Sequence, residues 1–109
     1  MEKMNLEIHQ GETFYRAVLF QDENGKVIDL SGFSAEMKIK EDFSDAVPAA
    51  EAAVTIVPTE GKIYLNIGSE VTAGLDLGRY VYDFMMKDAA GNKTLYFGGF
   101  LDILATVTK

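Results

Sequence analysis

Along most of the chain apolar residues recur at a spacing of two between clusters of turn-forming residues, and no long stretch carries an apolar stripe of 3.6-residue period. This is the pattern of half-buried strands. Leu6 to Gln10 reads as a first strand ended by Gly11, and Thr13 to Gln21 as a second. Asn24-Gly25 then supplies a tight hairpin turn that tolerates positive φ, and Lys26 to Leu30 returns. Ser34 to Lys40 sets Ala35, Met37 and Ile39 on one face and Glu36, Lys38 and Lys40 on the other. Asp42 to Ala50 is irregular. Glu51 to Val57, stopped by Pro58, and Lys62 to Ile67 read as a hairpin around Thr59-Glu60-Gly61. One helical turn is expected after Ser69, a good N-cap, with Gly74 closing it. Arg79 to Lys87 alternates most regularly, with Tyr80, Tyr82, Phe84 and Met86 on one face and Arg79, Val81, Asp83, Met85 and Lys87 on the other. Lys93 to Val107 forms the last strand, and its glycine pair, Gly98-Gly99, predicts a bulge or a change of sheet.

About seven short strands with one long irregular connection and no crossover helices point to an all-β protein, an immunoglobulin-like antiparallel β-sandwich with one short helical turn. Residues 1–109 fit a single domain. Asp76-Leu77-Gly78-Arg79-Tyr80 has the Asp-x-Gly-x-Tyr spacing of a tyrosine corner, in which the hydroxyl of Tyr80 bonds back to upstream backbone. Tyr82 falls where immunoglobulin domains place a cysteine, and its ring can fill the same inter-sheet space.

Composition narrows the chemistry. The formal charge is −7, with 17 acidic against 10 basic residues, which opposes binding to nucleic acid through phosphate contacts. Cysteine is absent, so disulfides, thiolate nucleophiles and cysteine-held metals are excluded. No segment approaches the ~20 apolar residues of a membrane helix, and the N-terminal residues do not form an apolar leader. The one histidine, His9, has no neighbouring partner with which to build a catalytic site. Asp22-x-Asn24-Gly25 and Asp88 to Asn92 share features with calcium loops without the closing glutamate, so hairpin chemistry accounts for them. Glu41 and Asp42 lie in a loop and read as solvating charge. No catalytic, cofactor or metal site is expected, and the chain does not read as an enzyme.

The unusual feature is apolar load on faces that a lone sandwich leaves wet. Thr13 to Gln21 and Lys93 to Val107 both carry large apolar side chains at odd and even positions, so both are expected to be buried on two sides. Val81 and Met85 add to an outward patch, and with Tyr96 and Phe100 they make a candidate interface.

The order of these signals resembles a family of small immunoglobulin-like structural proteins of tailed bacteriophages and prophages, and is similar to the N-terminal domain of phage upper baseplate proteins. The resemblance rests on Gln10-Gly11-Glu12-Thr13-Phe14, the turn Asp22 to Gly25, Ile28-Asp29-Leu30-Ser31-Gly32-Phe33, and Ala35-x-Met37-x-Ile39. Gly61-Lys62-Ile63-Tyr64-Leu65, the turn Ser69 to Thr72, Gly78-Arg79-Tyr80-Val81-Tyr82-Asp83 and the glycine-containing last strand continue it. It implies a non-enzymatic virion component of tail, baseplate or neck, assembled in the host cytoplasm, whose partners are copies of itself and other virion proteins. The competing class is a stand-alone interaction module, such as a carbohydrate-binding sandwich, which would present aromatic rings on a flat sheet face.

Overall fold

The structure, a computed structural model, describes residues 2–108. Nine strands run in chain order: β1 (Glu2–Lys3), β2 (Leu6–His9), β3 (Phe14–Leu19), β4 (Ser34–Lys40), β5 (Ala50–Glu51), β6 (Ala53–Val57), β7 (Lys62–Ile67), β8 (Gly78–Lys87) and β9 (Lys93–Leu104). One helix, α1 (Ser69–Ala73), and a 3₁₀ turn at Pro58–Glu60 complete the elements. The larger sheet has the order β5-β4-β8-β9, with β1 and β2 placed one after the other along the far edge of β9. The smaller sheet has the order β3-β7-β6. This is an immunoglobulin-like β-sandwich, in which β3, β7 and β6 take the places of strands B, E and D, and β4, β8 and β9 those of C, F and G.

The core forms between the sheets from every second residue of each strand. Ile63, Leu65 and Ile67 of β7 face Met37 and Ile39 of β4, Tyr80, Tyr82, Phe84 and Met86 of β8, and Leu101 and Ile103 of β9. Phe84, fully buried, stacks on Phe97 with ring centroids 4.9 Å apart, which adds to the area the rings bury. Tyr82 is buried in the same layer, in the space the sequence allots it. Its hydroxyl donates to the Met4 carbonyl at 2.6 Å.

Four features depart from the sequence reading, each for a local reason. Lys26 to Leu30 is not a strand: Asp22 Oδ1 accepts from the backbone N–H groups of Asn24 and Lys26, one bridge joins Gln21 to Val27, and the chain then crosses to the larger sheet. Glu51 to Val57 is split, because Ala52 N–H donates to Met37 O at 3.0 Å and the chain changes sheets there, between β5 and β6. Ser69 is the first helical residue rather than the cap, since Gly68 takes the cap position without a side-chain bond, and Gly74 stays right-handed. The pairing is not wholly antiparallel either, because β1 and β2 run parallel to β9.

Gly98 and Gly99 mark neither a bulge nor a change of sheet. The register shift of β9 lies at Tyr96, with Leu95 opposite Met85 and Phe97 opposite Phe84. Instead Gly99 makes room for the Met4-Asn5 crossover between β1 and β2, and Gly98 for the backbone of β8. A Cβ on Gly99 would sit 2.6 Å from Asn5 Oδ1 and 2.9 Å from Met4 O, and one on Gly98 would lie 2.8 Å from Tyr82 O. Through this close approach Met4 N–H donates to Gly98 O and Phe100 N–H donates to Asn5 Oδ1.

Candidate interface on the larger sheet

Strand alternation turns Glu36, Lys38 and Lys40 of β4 outward, alongside Arg79, Val81, Asp83, Met85 and Lys87 of β8. Val81 lies directly opposite Phe100, and Met85 opposite Leu95. Three of the four expected interface residues, Val81, Met85 and Phe100, therefore share the outward face. Tyr96 does not join them. As the extra residue of the bulge its ring packs edge-on against Phe20 at 5.2 Å and near Phe84 at 6.5 Å, beside the core.

Phe100 carries two cations over its ring, with the Arg79 guanidinium 4.5 Å and the Lys3 ammonium 5.9 Å from the centroid. Arg79 is held there by two bonds to Asp102, at 2.8 and 3.1 Å. That pairing raises the pKa of the guanidinium and lowers that of the Asp102 carboxyl, in both cases chiefly through the hydrogen bonds. Val81 is 9% exposed although it faces outward, because Lys40 and Phe100 flank it in register and long cationic side chains cover apolar surface with their stems.

A shallow groove of about 280 Å³ runs over this face, lined by Val81, Met85, Phe43 and the lysines Lys38, Lys40 and Lys93. The lysines and Phe43 were not foreseen. The alternation Glu36-x-Lys38-x-Lys40 was the available signal, whereas Phe43, 74% exposed in the β4 to β5 loop, has none. Six of the ten basic residues, Lys3, Lys38, Lys40, Arg79, Lys87 and Lys93, lie on this face with five acids, Glu7, Glu36, Glu51, Asp83 and Asp102. The acidic excess is carried elsewhere, largely in turns. Asp22, Asp29, Asp42 and Asp88 each accept the backbone N–H of the residue two positions on, the geometry that makes aspartate a turn residue. Hydrogen bonds hold three of these carboxyls below the usual carboxylate range: chiefly the Ser31 hydroxyl for Asp29, the Ser44 N–H for Asp42 and the Asn92 N–H for Asp88. Both segments that share features with calcium loops are hairpin turns of this kind.

The other expected residues lie at one end of the sandwich. The Tyr80 hydroxyl donates to Asp76 O at 2.8 Å, across the turn that holds Gly78 at φ 140°, and burial foremost raises its pKa. Beside it Thr72, fully buried, donates to Glu12 O at 2.7 Å and accepts from Gly11 N–H at 3.1 Å. Gln10 Nε2 donates to Leu75 O at 2.8 Å. The Gln10-Gly11-Glu12 turn and the Ser69 to Thr72 turn, far apart in the chain, thus lock together. His9 is exposed, 3.8 Å from Glu12. The outward face of β3 is open rather than buried, with Tyr15 60% and Leu19 49% exposed, and Val107 lies beyond the end of β9 in solvent.

No protein-family model matches the chain, and no curated protein does. Among solved structures it is similar to a family 123 glycoside hydrolase from Clostridium perfringens, at 12% identity and a TM-score of 0.47, over 100% of this chain and 24% of that one. The chain thus spans about a quarter of that enzyme's length.

Proposed function

We propose that the protein is a non-enzymatic assembly component that docks other proteins through the outward face of the larger sheet, in the manner of the bacteriophage tail, baseplate and neck proteins its motifs resemble. The observation that carries the reading is the composition of that face. It has an apolar centre of Val81, Met85 and Phe100, ringed by six basic and five acidic side chains in a protein of net charge −7. Apolar centres with charged rims characterise protein interfaces, and a rim carrying both signs fixes the register of a partner with complementary charges. The Gln10-Gly11-Glu12 and Ser69 to Thr72 segments, on which the resemblance partly rests, meet in space, so their co-occurrence has a structural reason.

The test is composition of particles. Virions released from the source strain after prophage induction should contain the chain in several copies, and Met85→Asp should fold normally while failing to enter them, because an unpaired carboxylate is costly in a desolvated contact. Particles that lack the wild-type chain would refute the reading.

A second reading has one observation in its favour. Tyr15 and Tyr64 stack at 5.9 Å on the outward face of the smaller sheet, with Asn66 and Thr55 as cross-strand neighbours, an arrangement able to receive a saccharide. Titration with neutral oligosaccharides, read by tyrosine fluorescence, decides it: no change up to millimolar ligand removes that reading.

A further inference from the structure

The edge of β3 is built to receive a strand. Phe20 N–H donates to Gly61 O at 2.8 Å, and Phe14 to Leu19 continue in register against Ile67 to Lys62. In an antiparallel pair successive residues point their N–H and C=O groups alternately toward and away from the partner strand. Since Phe20 points toward β7, so do Val18, Arg16 and Phe14. Tyr15, Ala17 and Leu19 then direct their N–H and C=O groups away from the sheet, and all three are exposed.

Edge strands are ordinarily blunted by proline, bulges, extreme shortness or outward charge. On the larger sheet β5 has two residues, and the β1 to β2 edge bends at Met4-Asn5. On the smaller sheet β6 turns only Val54 and Ile56 to its free side, between the crossing from β5 and Pro58. β3 has six residues, Phe-Tyr-Arg-Ala-Val-Leu, with no proline, glycine or bulge, and its one charge, Arg16, faces inward beside Met4.

We propose that β3 pairs antiparallel with β3 of a second copy of this chain, about a two-fold axis at Ala17, joining the two smaller sheets into one of six strands. Self-complementarity selects the occupant. With Ala17 opposite Ala17 of the second copy, Tyr15 falls opposite Leu19 twice on the outward face, and Phe14 opposite Phe20 twice on the inward face. The paired length stops short of the acids Glu12 and Asp22. A slip of two residues in one direction would set Arg16 against Arg16, and like charges directly opposite are destabilising; a slip of two in the other direction would pair Val18 with Val18 but leave Tyr15 opposite Gln21. The outward face around the edge carries a single charge, Lys62, so the −7 charge of each copy is held away from the contact. This surface is distinct from the docking face proposed above, and either can fail without the other.

Sedimentation velocity on the full chain from 5 µM to 1 mM should show a monomer converting to a dimer as concentration rises, while amide exchange at Tyr15, Ala17 and Leu19 slows at least tenfold over the same range. Ala17→Pro removes an N–H without an intramolecular partner, so the fold should persist by circular dichroism and the dimer should weaken at least tenfold. Should that variant misfold, Leu19→Glu provides the second route: it should weaken the dimer, and adding Tyr15→Lys should restore it, by placing opposite charges across the two-fold axis. Thr55→Lys, on β6, should leave dimerisation unchanged. A wild type monomeric at 1 mM, a folded Ala17→Pro that dimerises as well as wild type, loss of the dimer in Thr55→Lys, or no restoration in the double variant would each overturn the proposal.

Discussion

The outward face of the larger sheet carries six basic and five acidic side chains around Val81, Met85 and Phe100, whereas that of the smaller sheet carries Lys62 and otherwise Tyr15, Ala17, Leu19, Ala53, Thr55, Val57, Tyr64 and Asn66. Both are products of the same two-residue alternation, and both sheets share one core. The edges differ in parallel. On the larger sheet the β1 to β2 segment is clamped by the Tyr82 hydroxyl, Asn5 and the glycine pair, while on the smaller sheet β3 ends in open backbone. The lesson is that one alternation pattern yields two unlike surfaces: one sheet has its edge tied down and its outward face charged, the other has an open edge and a plain face.

The contrast breaks most sharply at Gly99. Gly99→Ala drives a Cβ into Asn5 Oδ1 and Met4 O, and a forced fit of this kind should cost about 2–4 kcal/mol, within the range of severe single substitutions. Chemical denaturation should show it as a lower midpoint, with loss of amide protection concentrated in β1 and β2. A change below about 0.5 kcal/mol would mean that the crossover does not depend on the glycine. Next in size is Tyr82→Phe, which leaves the half-buried Met4 carbonyl without its donor and should cost about 1–3 kcal/mol. Tyr80→Phe, which strips the donor from Asp76 O, should have a similar or slightly smaller effect, with an unchanged midpoint disproving its role. The Tyr82 hydroxyl also has a signature in base. Burial pushes its pKa up to about 12, above the ordinary value near 10, so the folded state favours the neutral phenol. The stability it contributes is complete below pH ~10 and is lost as pH rises toward 12. Tyr82→Phe should flatten the alkaline unfolding curve.

Smaller again is the acid limb on the larger sheet. Arg79 holds the Asp102 carboxyl below its ordinary pKa, so this contribution is present above pH ~4, the unfolded carboxylate value, and fades as pH falls through the lower folded value. Arg79→Ala should shallow the acid dependence of stability below pH 4, measured by thermal melts across pH 2 to 6. The least effect is expected on the plain face, where Leu19→Thr in the monomer should stay within about 0.5 kcal/mol of wild type.

How legible all this was depended on whether the deciding interaction was local. Ser34 to Lys40 and Lys62 to Ile67 alternate cleanly, and their strands have those same bounds. Asp76, Gly78 and Tyr80 lie within five residues, so their spacing could point to the turn they make. Gly99 could not be interpreted in the same way, because what approaches it is Met4-Asn5, over 90 residues away in the chain. Ala52 carries no mark of the sheet crossing, since its donation to Met37 O depends on where β4 lies. Of the candidate interface, Val81, Met85 and Phe100 followed from parity, and Tyr96 departed because one extra residue in β9 turns its side chain to the opposite face.

The parallel pairing of β2 with β9 has a consequence for how the chain reaches this state. Leu6 meets Leu101 and Ile8 meets Ile103, so β2 waits for β9, which is synthesised after every other strand described. Such long closures are entropically costly until the contacts they enable are in place, and topologies rich in them fold in milliseconds to seconds rather than microseconds. Until β9 arrives, β8 also lacks one neighbour and exposes Tyr80, Tyr82 and Phe84 along an open ladder. Synthesis therefore passes through an interval in which most of the core is translated but unsealed, ended by the docking of a single strand that closes β1, β2 and β8 together.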